Sequence, residues 1–518
     1  MNKLNHICVV GGGSAGWLTA LMINSYHPQL KITLIESSEI GILGAGEGTL
    51  AGFIRILDII RIPVSDIILH CKGTIKNGIK FTNWNGGGKE DFYYHAFLAS
   101  QVVGLFGLNN VQFDRVTLAT LASEYKNEKL DEIDFVAKIS EKNKVPFSRL
   151  ANSFEQKSDI NPLLDFLQAA TYGLHFDANL LAKFLKEVGI SRGIELIDGI
   201  VDKINTKQDG YIESLTLQDG RTIDADFYFD STGFKRILIQ KHFNAPWKSH
   251  QDVLPVNTAI PFFIQNDSKV IPPYTEATAM KYGWSWKIPV QGRFGCGYVF
   301  DDRFTDIESA RQEVIDWYGE VEFPRTFKFD AGYFTEVWVK NCIAVGLAGG
   351  FTEPLEATSI FLTTSTIRSA IENFALLEEN SEETREEFNA TYRRRMEEFV
   401  DFLCLHYICP RNDTEFWRTY QQRPFPESLK TILKTIKRRP LTTEDVKRRE
   451  VYGLESWSSV IHGTNQLDKD LIKRYIEKNR LVEHIEENYD RYKQEINDAT
   501  FMSWDHYQFL RYLTNRKI

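Results

Sequence analysis

A lysine inside an apolar stretch is the first residue of this chain that could do chemistry. Lys80 stands between Ile79 and Phe81 in the strand-like segment NGIKFTNW. At the edge of a sheet, such a lysine extends its ammonium group to water and needs no chemical role. In a buried position it supplies a strong hydrogen-bond donor or a nucleophilic amine that reacts with electrophiles. Lys80 is therefore a candidate catalytic residue.

Two tryptophans stand two positions apart in the segment YGWSWKIPV. Because side chains alternate between the two faces of a strand, Trp284 and Trp286 share one face. Core packing explains most such pairs. The alternative is that two large, rigid indoles form a wall that blocks a passage to anything larger than a small molecule.

A glutamate occupies a loop before a predicted helix in the segment FTEPLEATSIFL. The backbone N–H groups of Thr358 and Ser359 lie near the start of that helix, where an anion is favoured. Glu356 precedes them and is a candidate acid–base group. Its alternative role is to cap the helix, as acids often do at a helix N-terminus.

The N-terminal segment VVGGGSAGW has the glycine spacing of a dinucleotide-binding turn. Gly11 allows a tight turn, Gly13 lets the backbone approach a pyrophosphate, and Gly16 lets helix and strand pack closely. The start of the following helix attracts the anion. Glu36 ends the next predicted strand, where an acid can bond the adenosine ribose hydroxyls.

Two further segments favour FAD over NAD as the cofactor. GILGAGEGT contains Glu47 within a second glycine cluster, and FDSTGF follows a late hydrophobic strand. Both suit a flavoprotein, because a longer cofactor needs more backbone around it. The sequence contains no second glycine fingerprint for NAD(P)H, so we expect a separate flavin reductase to supply reduced FAD.

The elements that would position these residues indicate an α/β fold. A strand at 7–10, a helix from Ser14 and a strand at 32–35 form a βαβ start. A helix is predicted at 178–190, and the segment 210–230 alternates around an Asp-Gly turn, which predicts a β-hairpin running into a strand. Helical character dominates 360–407 and returns at 470–496. We predict a FAD-binding body over residues 1–375 and a mainly helical C-terminal subdomain over 376–518.

Composition and charge exclude several classes of function. The 518 residues are 43% hydrophobic and carry a formal charge of −9, which argues against a nucleic-acid partner. No stretch reaches the length of about 18 apolar residues that a membrane span needs, and no secretory segment opens the chain. The six cysteines are scattered without metal-ligand spacing, so no metal site is predicted. We expect a cytoplasmic enzyme.

The ordered set of motifs resembles the flavin-dependent halogenase family, whose best-known members are the tryptophan halogenases. The resemblance runs through most of the chain, and its most specific motif is WSWKIP, which corresponds to the family's WxWxIP. The other matching segments are GGGSAGW, GAGEGT, GIKFTNW, YYHAF, HFDA, FDSTGF, FTEPLEATS and HYICPRNDTEFW. The resemblance implies a flavin monooxygenase-type, Rossmann-like body and a halogenase activity.

The resemblance also implies roles for the candidate residues. In that family, reduced FAD and O2 turn a halide into hypohalous acid. A wall of tryptophans separates flavin from substrate, so that only this small oxidant passes through a tunnel. Lys80 then holds the hypohalous acid by hydrogen bonding or carries the halogen as a haloamine, and Glu356 stabilises the cationic intermediate and accepts its proton. The remaining implied assignments are the wall residues Trp284, Trp286, Ile288 and Pro289, the halide residues Thr358 and Ser359, and the FAD contacts Gly11, Gly13, Ser14, Ala15, Gly16, Glu36, Glu47, Val201, Leu347 and Ile360.

Two departures from the family pattern concern the halide site. Ala357 stands where the family has serine, and Ser359 stands where it has glycine. Backbone donors survive both changes. The departures raise the hypothesis that bromide or iodide is preferred to chloride.

The substrate is expected to be a small aromatic molecule. His95 and Phe97 match aromatic residues of the family's substrate pocket, although core aromatics beside a strand would look the same. The segment TTEDVKRREVYGLESWSSVIHGTNQ lacks the Tyr-Tyr and Phe-Trp pairs that grip free tryptophan in its halogenases. An indole, phenol or heteroarene is therefore predicted.

Two other enzyme activities and one non-enzymatic function stay open. The enzyme alternatives are a free-tryptophan halogenase and a flavin-dependent aromatic hydroxylase without halide chemistry. A non-catalytic flavin-binding protein would have no need for Lys80 and Glu356. The sequence leaves the native substrate, the halide and a homo-oligomeric state open.

Overall fold

The helices and strands are known for most of the chain. The computed structural model describes residues 3–39, 46–97, 115–148 and 171–515. Within them the helices are α1 (Ser14–Tyr26), α2 (Phe53–Ile59), α3 (Val64–His70), α4 (Arg115–Lys126), α5 (Phe135–Glu141), α6 (Ala178–Ser191), α7 (Ile307–Tyr318), α8 (Thr358–Glu372), α9 (Phe374–Glu379), α10 (Glu382–His406), α11 (Glu415–Gln421), α12 (Glu427–Ile436), α13 (Thr443–Val446), α14 (Leu454–Gly463), α15 (Lys469–Lys478), α16 (Val482–Met502) and α17 (His506–Asn515).

The strands of the described residues are mostly short. They are β1 (His6–Val10), β2 (Lys31–Glu36), β3 (Gly46–Gly48), β4 (Thr74–Lys76), β5 (Gly78–Thr82), β6 (Phe92–Ala96), β7 (Lys144–Ser148), β8 (Gly173–Asp177), β9 (Glu195–Asp198), β10 (Val201–Thr206), β11 (Ile212–Leu217), β12 (Thr222–Asp224), β13 (Phe227–Asp230), β14 (Trp247–Ser249), β15 (Thr258–Gln265), β16 (Tyr274–Ala279), β17 (Gly283–Val290), β18 (Arg293–Phe300), β19 (Phe327–Lys328), β20 (Gly332–Phe334), β21 (Trp338–Val339), β22 (Cys342–Ala344), β23 (Gly350–Phe351) and β24 (Ser503–Asp505).

The chain groups into two compact units, and each is built from three segments. Unit 1 comprises Met1–Gly73, Phe176–Gln251 and Asp330–Glu397, and unit 2 comprises Thr74–His175, Asp252–Phe329 and Glu398–Ile518. These units alternate along the sequence. The predicted boundary after residue 375 cuts the chain in a different way and stays a prediction.

Unit 1 is built on a largely parallel sheet with the strand order β21-β22-β13-β1-β2-β9. β1 pairs in parallel with both β2 and β13, and α1 connects β1 to β2. The strand β1 is an almost wholly buried apolar run, as expected for a central strand of a parallel sheet. The predicted βαβ start, the helix at 178–190 and the hairpin of β11 and β12 are confirmed. So is the α/β, Rossmann-like class.

Unit 2 contains a second, larger sheet. Its strand order is β19-β15-β18-β17-β16-β5-β6. Neighbouring strands are antiparallel except for β5 and β16, which run in parallel. The central strand β17 carries the tryptophan pair and β5 carries Lys80. The register of this sheet therefore determines which face the side chains of Lys80 and of the tryptophan pair occupy.

The C-terminal part of the chain is helical, as predicted. The helical pattern at 470–496 forms two helices, α15 and α16, because Arg480 between them has a left-handed φ of 55°. One side of α16 packs into a buried apolar cluster with α4, α5 and α15. Among the residues that the structure describes, no helix combines the length and apolar character that a membrane crossing requires.

Candidate active site

The glycine turn after β1 has the geometry of a phosphate cradle. Gly11 has a φ of +117°, which side-chain-bearing residues rarely adopt, and a Cβ there would collide with the carbonyl of Ser231. A Cβ at Gly16 would collide with the carbonyl of Gly11. Among the residues that the structure describes, no atom lies within 4 Å of the Cβ position at Gly13, and no side chain caps the start of α1. The turn is tightly packed at Gly11 and Gly16 and leaves space at Gly13, where a pyrophosphate would bind.

This asymmetry gives a matched pair of glycine variants. We expect Gly16→Ala to lower both the thermal midpoint and FAD affinity, because the new methyl group displaces the backbone of the turn. Gly13→Ala has room for its methyl group in the protein alone, so its midpoint should stay unchanged while FAD affinity falls about tenfold or more. Fluorescence titration with FAD and a thermal melt of the cofactor-free protein measure the two effects. Unchanged FAD affinity in Gly13→Ala would contradict this position for the pyrophosphate.

Glu36 is held beside the glycine turn at the end of β2. Its carboxylate lies against Gly12, accepts a 3.3 Å hydrogen bond from the indole N–H of Trp17, and forms an ion pair with Lys186. A carboxylate has about four lone-pair positions, so these partners leave room for ribose hydroxyls. The predicted cofactor acid is thus fixed in place by the protein.

Other predicted cofactor residues surround the same turn in unit 1. A Cβ at Gly346, next to Leu347, would lie 2.9 Å from the Cβ of Ala15 and 3.3 Å from Thr363 Oγ1 in α8. The start of α1, the short 3-10 helix Gly346–Ala348, which contains Leu347, and α8, which carries Ile360, therefore pack together. The backbone N–H of Gly199, just before β10 and Val201, donates to the carbonyl of Glu36 at 2.8 Å. These cofactor residues predicted from the sequence thus lie on elements that pack around one turn.

Glu47 lies in β3, and the first half of its GILGAGEGT segment falls outside the described residues. Burial raises the pKa of Glu47 to about 7, and repulsion from Asp177 adds to the effect. A carboxyl group with this pKa changes its charge close to neutral pH. No described contact assigns Glu47 to the cofactor, so that role stays a prediction.

The loop before α8 contains a buried carboxylate and a strained residue. Glu356 is 0% exposed, and Glu353 in the same loop is also buried. Ala357 has a φ of 53°, a left-handed conformation that costs a residue with a side chain about 1–2 kcal/mol. The helix starts at Thr358, and no side chain in the described part of the chain caps it. Thr358 and Ser359 therefore begin a helix whose N-terminus suits an anion.

The tryptophan pair forms a rigid aromatic surface in unit 2. Trp284 and Trp286 are 1% and 9% exposed, and their ring centroids lie 6.2 Å apart at an interplanar angle of 60°. The ring of Trp286 covers Gly297 on the neighbouring strand so closely that a Cβ there would collide with it. Ile288 lies on the same face and is buried too. Both indoles are therefore held in one orientation, as a wall requires.

Lys80 lies on the opposite face of the same sheet from the tryptophans. In the strand register, Lys80 pairs with Glu276 and Tyr94, whereas Trp286 shares a row with Ala277 and Phe81. The Lys80 ammonium is 2.7 Å from Glu141 Oε1 and 3.8 Å from the centroid of the Phe92 ring. Glu141 also accepts a hydrogen bond from Tyr94. Lys80 is thus engaged in a local ion pair.

A second lysine, which the sequence analysis missed, has a different environment. Lys76 in β4 is 0% exposed, and its Nζ lies 5.1 Å from the centroid of the Phe97 ring. Phe97 is one of the two predicted pocket residues. The segment TIKNGIK contains both lysines, four positions apart, and this is the sequence signal that could have suggested Lys76. The two lysines are distinguished by their burial, which the segment alone does not show.

The predicted pocket residue His95 shares the tryptophan face of the sheet. It pairs with Ile79 in the strand register and is 3% exposed. Its Nε2 lies 2.9 Å from the hydroxyl of Ser456 in α14, and its ring is 6.4 Å from that of Phe97 at 86°. The structure thus brings His95 and the tryptophan pair onto one face of the sheet, with Phe97 next to His95 and Lys76 next to Phe97.

Three backbone donors just before α14 are satisfied by a buried carboxylate. The N–H groups of Glu450, Val451 and Tyr452 donate to Glu398 at 2.7, 2.9 and 2.8 Å. Burial raises the pKa of Glu398, and these three bonds oppose the shift. The ring of Tyr452 stacks on Phe402 at 3.8 Å, and Phe402 contacts His95. The segment before α14, near His95, is therefore held in place by the protein itself.

Comparisons with known proteins agree along nearly the whole chain. The family model described as tryptophan halogenase matches residues 6–475. The chain is 31% identical to 7-chloro-L-tryptophan 6-halogenase KtzR of Kutzneria sp. (strain 744), over 81% of this chain and 83% of that protein. It is 30% identical to tryptophan 7-halogenase RebH of Lentzea aerocolonigenes, over 81% and 79%. The solved structure of BrvH, a flavin-dependent halogenase from Brevundimonas sp. BAL3, matches 99% of both chains with a TM-score of 0.82 and 27% identity.

Proposed function

The chain belongs to the tryptophan halogenase family, and on that premise we propose that it halogenates a small aromatic substrate other than free tryptophan, using reduced FAD, O2 and a halide. The observation that carries the proposal is the fully buried Lys76 amine, 5.1 Å from the ring centre of Phe97. A buried amine beside an aromatic surface suits the handling of an electrophilic halogen next to an arene.

The cofactor would be held by the glycine turn, by Glu36 and by the packed start of α1. When bound and reduced, FAD supplies with O2 the oxidation that converts halide to hypohalous acid. The open side of Gly13 and the uncapped start of α1 support this assignment. Thr358 and Ser359 would bind the halide through the backbone at the start of α8. The reduced flavin would come from a separate reductase.

Lys76 is the amine that we propose to handle the halogen. It would either hold hypohalous acid by a hydrogen bond or exchange one N–H proton for halogen, with release of water. Lys80, the residue predicted from sequence, is the alternative. The position of Lys80 on the face away from the tryptophans favours Lys76.

The wall residues Trp284, Trp286, Ile288 and Pro289 would keep the arene away from the flavin, while hypohalous acid crosses through a tunnel. The low exposure and fixed orientation of the indoles support this role. Glu356 would stabilise the cationic ring formed by halogen addition and accept its proton. Its complete burial supports this role, because charges interact more strongly away from water.

A substrate without an amino-acid group is supported by the segment before α14. Its three consecutive N–H groups are the kind of donor set that binds a carboxylate, and Glu398 already occupies them. A free amino acid would find no such donors there. A neutral indole, phenol or heteroarene needs only the aromatic surface that includes His95 and Phe97.

The experiment that tests the proposed function is a substrate and halide panel. The protein, with FAD and a flavin reductase, is supplied with indole, a phenol or free tryptophan, and with chloride, bromide or iodide in competition. We expect halide-dependent products from the neutral arenes by mass spectrometry, with a turnover at least about tenfold above that on tryptophan. Hydroxylated products that form without halide would favour a hydroxylase. Rapid, regiospecific tryptophan halogenation would overturn the substrate proposal.

The same panel addresses halide preference. Ala357 and Ser359 differ from the family pattern at the start of α8, and Ala357 has a left-handed φ of 53°. We propose that bromide or iodide competes successfully with chloride. An unshifted chloride preference would dismiss this part of the proposal.

A further inference from the structure

Two buried histidines flank the short strand that carries Lys76. β4 is three residues long and pairs with β8, so that Thr74 lies opposite His175. The backbone N–H of Ile75 donates to Nε2 of His506 at 3.0 Å. Thr74, His175 and His506 are all 0% exposed. Lys76 thus follows two residues that are each bonded to a buried imidazole.

The hydrogen bonds define the proton position on each ring. Thr74 has one hydroxyl proton and donates it to the carbonyl of Pro289 at 2.7 Å, so its oxygen accepts from Nδ1 of His175 at 3.1 Å. Nε2 of His175 then accepts from the hydroxyl of Thr275 at 3.0 Å. His506 accepts at Nε2 and donates from Nδ1 to the carbonyl of Ile271 at 2.9 Å. Both rings are neutral Nδ1–H tautomers.

The surroundings keep both rings neutral. Burial lowers the pKa of His506 to about 4. Burial also holds the pKa of His175 well below its usual value, and the nearby Lys76 and His506 lower it further. Protonation of His506 would remove the acceptor of the Ile75 N–H, and protonation of His175 would add positive charge close to Lys76. The hydrogen bonds of His175 and His506 to Thr74 and Ile75, which we call the β4 clamp, therefore persist throughout the neutral pH range.

We propose that Thr74, His175 and His506 are positioning residues that hold the Lys76 amine in place by fixing β4 on both sides. The idea rests on the proposed role of Lys76. A lysine side chain has four rotatable bonds, so the backbone beneath it must be rigid if the amine is to meet a small oxidant repeatedly at one point. Through Pro289, Thr74 also ties β4 to the end of β17, the strand of the tryptophan pair.

The hydroxyl of Thr74 offers a direct test of this clamp. Thr74→Val keeps the shape and removes both hydrogen bonds, whereas Thr74→Ser keeps them. Thr258→Val is the matched control, because it removes another fully buried strand hydroxyl, on β15. We measure halogenated product per reduced flavin consumed, together with hypobromous acid that escapes and is trapped by monochlorodimedone.

In Thr74→Val, product per flavin should fall at least about tenfold and the trapped oxidant should rise, with the flavin oxidation rate unchanged. Halogenated product per reduced flavin, the measure of coupling, should be the same in Thr74→Ser and Thr258→Val as in the unmodified protein. Equal coupling in all variants would overturn the positioning role. An equal loss of coupling in Thr258→Val would mean that the effect of Thr74→Val is general destabilisation, and it would also overturn the positioning role.

Nitrogen-15 NMR of labelled histidine in the unmodified protein tests the clamp without relying on turnover. We expect two rings with Nδ1–H signals that stay unchanged throughout the neutral pH range. Assigned Nε2–H tautomers, or titration near pH 6.5, would overturn the clamp. If the unmodified protein makes no halogenated product, the proposed function fails, whereas normal turnover with unchanged coupling in Thr74→Val overturns only the positioning role.

Discussion

Replacing Lys76 by alanine is expected to lower the halogenation rate by about 10³-fold while oxidation of reduced flavin continues at its normal rate. The reason is that Lys76 would be the group that holds the halogen electrophile, whereas the flavin would be held by residues of unit 1. Without the amine, hypohalous acid should accumulate free in solution and be captured by a trap. Product by mass spectrometry, flavin oxidation by absorbance and trapped oxidant are measured in the same reaction.

Lys80→Ala is the matched control, because it removes a second lysine four positions away. Its ion pair with Glu141 is partly exposed, with side-chain exposures of 12% and 30%. Losing such a pair costs about 1 kcal/mol of stability, so the halogenation rate should change by less than about tenfold. A large loss in Lys80→Ala with a normal rate in Lys76→Ala would return the catalytic role to Lys80.

The parts of the fold that follow local patterns were predictable from the sequence. β1, α1 and β2 arise from an apolar run, a glycine turn and a second apolar run, all within 31 residues, His6–Glu36. The two tryptophans were placed correctly on one face of a strand, because alternation is a property of the strand itself. The helical pattern at 470–496 was also correct, and only the break at Arg480 was missed.

The choice between the two lysines depends on contacts far apart in the sequence, and local patterns carry no information about them. The catalytic role of Lys80 is implied by the family resemblance, and its face of the sheet meets Glu141, 61 positions away. Lys76 lies in a three-residue strand, too short to show a period. Its burial depends on partners such as His506, which is 431 positions from Ile75. His95 and its hydrogen-bond partner Ser456 are likewise far apart in the sequence, by 361 positions.

Replacing Glu356 by glutamine is expected to lower the halogenation rate about 10²-fold. Glutamine keeps the size and a hydrogen-bonding oxygen, but it removes the negative charge that would stabilise a cationic ring and the base that would accept its proton. Loss of the proton should then become slow enough to limit the rate. An arene deuterated at the halogenated carbon should therefore show a primary isotope effect with Glu356→Gln, but little effect with the unmodified protein.

Glu353→Gln provides the comparison for this prediction, since Glu353 is a carboxylate three positions earlier in the same loop and is also buried, at 1% exposure. A loss of negative charge in the loop is common to both variants, whereas only Glu356 is assigned contact with the reacting ring. We expect Glu353→Gln to show no isotope effect and a rate within about tenfold of the unmodified protein. Equal losses in the two variants, or a full rate in Glu356→Gln, would mean that Glu356 supports the strained start of α8 at Ala357 and takes no part in the chemistry.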